Sequence, residues 1–77
     1  MVSTAEIEER IRSSMQPTKC EVTAVSADDR KYGVVIVSEK FRGLSLVKRH
    51  RMVNDLFKEE LLSGEIHALT IKADPPE

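Results

Sequence analysis

The sequence holds one cysteine, no tryptophan, one tyrosine and two phenylalanines among its 77 residues. A single cysteine excludes an internal disulfide and points to a reducing compartment, where thiols persist. No apolar run approaches the roughly 20 residues that cross a bilayer, and no charged-apolar-small signal pattern opens the chain. The reading is therefore a cytoplasmic protein. A nuclear pool, or an organellar form whose transit peptide has been removed, would read the same way. Glycine is scarce, and Gly33, Gly43 and Gly64 are isolated, so there is no phosphate loop. CxxC and HExxH are both absent. Ser45 and Lys48 match the spacing of a penicillin-binding motif whose companions are missing. Charge of one sign is lacking too. Twelve basic residues face thirteen acidic ones, and that balance gives no general attraction to nucleic acid or membrane.

What remains is short and ordered. A chain of this length is one domain, residues 1–77, and buries only roughly 60% of the surface its unfolded form exposes. An enclosed substrate pocket has little room. The reading is a module that acts by docking, not an enzyme, with no catalytic residue assigned.

The elements follow from periodicity and capping. Ser3 and Glu6 have capping-box spacing, Val2 and Ile7 the spacing of a hydrophobic staple, and Ile7, Ile11 and Met15 form one apolar stripe. Pro17 ends that helix. Residues 20–26 alternate as a strand, with Cys20, Val22 and Ala24 on one face. A polar turn at 27–31 leads to a second, antiparallel strand at 32–37. Its Val34, Val35, Ile36 and Val37 are apolar on both faces, which marks a central strand. Ser45 caps a long helix expected at 46–62, with Leu46, His50, Val53, Phe57 and Leu61 on one face. Gly64 closes it. A third strand is expected at 66–72, joined to the second by a right-handed parallel crossover. Residues 73–77, with two prolines, read as a frayed tail. The fold class is α+β: helix, strand, strand, helix, strand, with a three-stranded mixed sheet and the helices on one face. The opposite sheet face is left open for docking.

Four features carry potential chemistry. His67 stands at the start of the third strand, alternating with Leu69 and Ile71. It is either a strand histidine satisfied by its neighbours or a metal ligand at the mouth of the sheet. His50, on the apolar face of the long helix, reads as structural, its ring packed on the sheet. Cys20 reads as a small buried hydrophobe, or as a thiolate ligand or redox thiol if exposed with a lowered pKa. Lys48, Arg49 and Arg51 crowd the first turns of a helix, where the macrodipole disfavours cations. They form either a solvated face or a contact for an anionic partner.

One stretch ties these features together. Phe41-x-Gly43-x-x-Leu46-x-x-Arg49-His50-Arg51-x-Val53 follows an apolar strand ending at Ser38 and precedes Ile66-His67-Ala68. It resembles the BolA family over residues 33–73, and the helix-strand-strand order ahead of it agrees. The resemblance implies a class II KH-like α+β fold and a monothiol glutaredoxin as partner. It also implies a bridging [2Fe-2S] cluster shared with that glutaredoxin and glutathione, in iron-sulfur cluster assembly and iron homeostasis. The family's histidine ligand carries over onto His67. Family members usually carry a second ligand, histidine or cysteine, in the loop between the first two strands. Here residues 27–31 hold neither, which leaves Cys20, a carboxylate of Asp28 or Asp29, or no second ligand. The chain alone is expected to be a monomer or weak homodimer. The resemblance carries an alternative role in transcription regulation, with Lys48, Arg49 and Arg51 contacting DNA. The turn at 42–45 has one glycine where a KH loop has two.

Overall fold

Residues 3–26 and 28–76 are described by the computed structural model. The staple expected between Val2 and Ile7 lies outside them. Helix α1 spans Thr4–Met15. Ser3 Oγ accepts from the Glu6 N–H at 3.1 Å, the forward half of the expected capping box. The helix ends at Gln16, which takes the left-handed conformation (φ 46°) ahead of Pro17. Ile7, Ile11 and Met15, four residues apart, are the buried positions of α1.

Strands β1 (Lys19–Ser26) and β2 (Lys31–Val37) are antiparallel, and β3 (Ala68–Asp74) runs parallel to β2. The sheet order is β1-β2-β3, so β2 is central, as its doubly apolar sequence requires. Register places Cys20 beside Ile36 and Val22 beside Val34, and on the other side Val34 beside Ile71 and Ile36 beside Ala73. Cys20, Tyr32, Val34, Ile36 and Ala73 are buried from this one face. They join Ile7, Ile11, Met15, Phe41, Val53, Phe57 and Ile66 in a single core cluster. On the opposite face Gly33 allows a close approach. A Cβ there would meet Thr23 Oγ1 at 3.2 Å and Val25 Cγ2 at 3.3 Å. The β1-β2 register slips between Ala24 and Ser26, and the bulge leaves Val25 64% exposed.

Three expectations change. The long helix is two: α2 covers Leu46–Leu56 and α3 covers Lys58–Ser63, with Phe57 between them at φ −113° and ψ 23°. The Phe57 ring is fully buried. Arg10 Nη1 donates to the Leu56 carbonyl at 3.3 Å, so a side chain from α1 satisfies an acceptor at the break. The third strand begins two residues late because Ile66 is used otherwise. Its side chain is fully buried, and its N–H donates to the Glu60 carbonyl at 3.1 Å. The tail expected to fray from residue 73 is instead tied down through Pro76. Ala73 and Asp74 belong to β3. The Ser38 N–H donates to the Asp74 carbonyl at 3.0 Å, and Arg42 Nη2 donates to the Pro76 carbonyl at 2.7 Å.

Ser38 organises this end of the sheet. It is 1% exposed, and its hydroxyl donates to the Met15 carbonyl at 2.7 Å while accepting from the Lys40 N–H at 3.2 Å. That second bond caps a 3-10 turn, Glu39–Phe41, which drives Phe41 fully into the core. One buried hydroxyl thus connects the end of α1, the end of β2 and the approach to α2. Leaving it unsatisfied would cost about 1–3 kcal/mol.

Candidate functional site

Gly64 ends α3 at φ 87°, a left-handed conformation that favours glycine. Its N–H and that of Ile66 converge on the Glu60 carbonyl, each at 3.1 Å. The turn is sharp enough to bury Ile66 and bring the next residue out at the rim. That residue is His67. Its N–H donates to the Arg30 carbonyl at 2.8 Å. The backbone is held, while the side chain is exposed and makes no hydrogen bond or ion pair with a described residue. His67 precedes β3 instead of lying within it, at the end of the sheet where Lys31 pairs with Ala68.

The neighbouring loop belongs to the β1-β2 turn. Asp28, Asp29 and Arg30 are exposed there. Ser26 Oγ donates to Asp29 Oδ2 at 3.2 Å. Arg30 adopts φ 56°, and its Nη1 donates to the Gly64 carbonyl at 3.2 Å.

Cys20 lies elsewhere. It pairs with Ile36, five residues along β2 from Lys31. At about 3.3 Å per residue, that puts it roughly 16 Å or more from the His67 rim. Its thiol is buried, at 7% exposure. Burial pushes the thiol pKa up, and the charge of Glu8 adds to the shift. This is an inert core sulfur in character. The structure does not bring Cys20 and His67 together. Among the described residues no three of His, Cys, Asp or Glu are grouped to hold a metal ion. What the rim offers is one open imidazole nitrogen donor, with two exposed carboxylates in the adjacent loop. Imidazole and carboxylate are both donors to first-row transition metals, and the described residues do not group them into a metal centre of their own.

The basic start of α2 divides. Arg49 turns inward: its Nε donates to the Leu44 carbonyl at 3.0 Å, and its Nη1 donates to the Ala73 carbonyl at 3.2 Å. Asp74 Oδ1 lies 3.7 Å from the same Nη1. Arg49 pins α2 to β3, and its guanidinium is engaged. Lys48 and Arg51 are exposed and border a shallow groove with Leu44, Met52 and Asp55. His50 is exposed, contrary to the expectation that its ring packs on the sheet. The first turns of α2 overhang the core. Leu46 and Val47 are 63% and 64% exposed, and the apolar stripe reaches the core only at Val53.

A second polar cluster escaped the sequence. Arg10 donates through Nη1 and Nη2 to both Glu60 oxygens, each at 2.8 Å, and its guanidinium carbon lies 5.1 Å from the centre of the Phe57 ring. The pair holds the Glu60 carboxyl below its ordinary pKa, chiefly by hydrogen bonding. The only signal in the sequence was position: Arg10 stands beside the stripe residues Ile7 and Ile11. Among the described residues no helix is long and apolar enough to cross a membrane.

The sequence and the fold have counterparts among known proteins. Residues 11–77 match the family model described as BolA-like protein. The chain is 41% identical over 73 residues to the protein BOLA2 of Arabidopsis thaliana, covering 94% of this chain and 76% of that relative. It is 36% identical over 72 residues to the Escherichia coli protein named DNA-binding transcriptional regulator BolA, covering 84% of this chain and 68% of that one. Among solved structures, the BolA domain of SufE1 from Arabidopsis thaliana superposes with a TM-score of 0.88 at 37% identity, covering 99% of this chain and 96% of that one.

Proposed function

The chain belongs to the BolA-like protein family, and on that premise we propose that it is a non-enzymatic partner of a monothiol glutaredoxin. In this reading it presents the His67 imidazole to a [2Fe-2S] cluster carried by glutaredoxin and glutathione thiolates. The role is cluster sensing, assembly or trafficking in a reducing, cytoplasmic compartment. The cluster is cargo, and the chain contributes one ligand to it. The observation that carries the reading is an exposed imidazole, without a described partner, on a backbone fixed at the sheet rim. Exchanging a thiolate for imidazole on one iron shifts a cluster's potential. A single neutral donor also leaves more easily than a thiolate, which suits transfer. The exposed Leu62 of α3, the turn at Gly64 and the start of β3 supply the docking surface around that donor. Cys20, buried at the far end, is not assigned a ligand role. Asp28 and Asp29 lie in the loop bonded to the His67 backbone and are the remaining donors there.

The test is reconstitution with a monothiol glutaredoxin, iron, sulfide and glutathione, read by visible absorption and dichroism. The expected spectrum differs from that of glutaredoxin alone, and His67→Ala removes the difference. A mixture that gives the glutaredoxin spectrum unchanged would defeat the reading.

A second reading is a DNA-binding regulator. It is supported by the name of the Escherichia coli relative and by exposed Lys48 and Arg51 beside an open groove. Its expected mark is a mobility shift with duplex DNA that weakens steeply with salt and vanishes in the Lys48→Ala/Arg51→Ala double variant. Arg49 is excluded from that test because its loss would unpin α2.

A further inference from the structure

We infer that Arg30 is a positioning residue for His67: from a left-handed turn it clamps the Gly64–His67 segment at both ends, and so fixes where the imidazole is presented. The inference rests on the reading of His67 as the ligand.

Two bonds of different kinds reach the same segment from this one residue. The Arg30 carbonyl accepts from the His67 N–H at 2.8 Å, and the Arg30 guanidinium donates to the Gly64 carbonyl at 3.2 Å. Between those anchors, Ile66 is driven into the core. The His67 side chain is therefore the free group on a segment held by its main chain. A ligand borrowed by a second molecule needs this arrangement, because a donor on a loose loop must be ordered at the moment of docking.

The residue type is informative. Arg30 sits at φ 56°, where glycine and asparagine are at ease and a long side chain is not. Gln16 at the end of α1 is the other non-glycine residue at positive φ among the described residues, and only Arg30 lies beside the exposed imidazole. An arginine there gives up backbone comfort and gains reach to Gly64, a local cost of the kind that collects at functional sites.

Arg30→Gly and Arg30→Asn both tolerate the left-handed backbone. They keep the carbonyl bond to His67 and remove only the guanidinium. Arg30→Lys restores a cation of nearly the same reach. The His67 amide is followed by hydrogen exchange, its ring by NMR, and stability by thermal unfolding. In Gly and Asn variants the unfolding midpoint is expected to hold or rise, as the turn relaxes. At the same time the His67 amide exchanges roughly three- to tenfold faster, the scale of one lost hydrogen bond, and the ring resonances move. The Lys variant recovers part of the protection. In the reconstituted complex the His67-dependent spectral signal weakens in the order wild type, Lys, Asn. A side chain with a merely structural role would lower the midpoint and leave exchange at His67 in step with the residues of β3. Unchanged exchange and ring signals, in a protein whose complex spectrum still depends on His67, would overturn this inference alone. A spectrum indifferent to His67→Ala would overturn the ligand reading and this inference with it.

Discussion

The two ends of the sheet are built on opposite principles. At the Val37–Asp74 end, side chains bond inward. Ser38 joins α1 to the 3-10 turn, its N–H holds β3, Arg49 ties α2 to Ala73, and Cys20 is packed away. At the Lys31–Ala68 end the Arg30 carbonyl and guanidinium hold the Gly64–His67 segment by its main chain, and the side chains of Asp28, Asp29 and His67 are exposed. Both ends contribute to the core, through Ile36 and Ala73 at one and Tyr32 and Ile66 at the other, and they differ in which polar side chains they leave exposed.

The sharpest way to break this contrast is chemical. Iodoacetamide is expected to leave Cys20 intact in the native protein and to modify it in urea, because the thiol is buried and its pKa is raised. Diethylpyrocarbonate is expected to modify native His67 readily, as located by mass spectrometry. Fast native alkylation of Cys20 would mean that the closed end opens, and would return the thiol to consideration as a ligand.

A stability comparison comes next. Ser38→Ala leaves the buried Met15 carbonyl and Lys40 N–H without their partner, and is expected to cost about 1–3 kcal/mol in urea unfolding. His67→Ala, at the open rim, is expected to fall within about 0.5 kcal/mol of wild type. Equal effects would erase the distinction between the ends.

A smaller effect than that of Ser38→Ala is expected at the latch of α1 on α3. Glu60→Gln weakens a bidentate, partly exposed pair and is expected to cost roughly 1 kcal/mol near neutral pH. The Glu60 pKa is lowered in the folded protein. Its contribution is therefore complete above the ordinary carboxylate value and is lost as pH falls through the lower, folded one. Wild type and Glu60→Gln should differ at pH 7 and converge in acid. A constant gap would mean that the charge of Glu60 is not what matters.

Much of this architecture is written locally. The Ile7, Ile11 and Met15 stripe is buried as its spacing requires, and the doubly apolar β2 is central. Cys20 packs as a small hydrophobe, and Gly64 caps where a cap was needed. What the sequence hid is non-local. The stripe from Val53 through Phe57 to Leu61 carries no sign of a break, because the side chain that bonds Leu56 comes from Arg10 in another helix. Arg49 reads as one of three basic neighbours until the end of β3 lies beneath it. Leu46 and His50 obey the helical period, yet overhang a core too narrow to reach them. His67 was legible as a position but not as an exposed one. Its exposure depends on Ile66 turning inward first, and on a turn at Arg30 that lies far away in sequence.

The bulge at Val25 has an effect beyond its own neighbourhood. A sheet margin offers a straight row of amides and carbonyls on which a stray strand can grow. The slipped register on β1 interrupts that row near its end, and Lys19 and Glu21 put charges along the rest of it. The β1 flank is thereby a poor template for a stray strand, whatever meets the rim at its end.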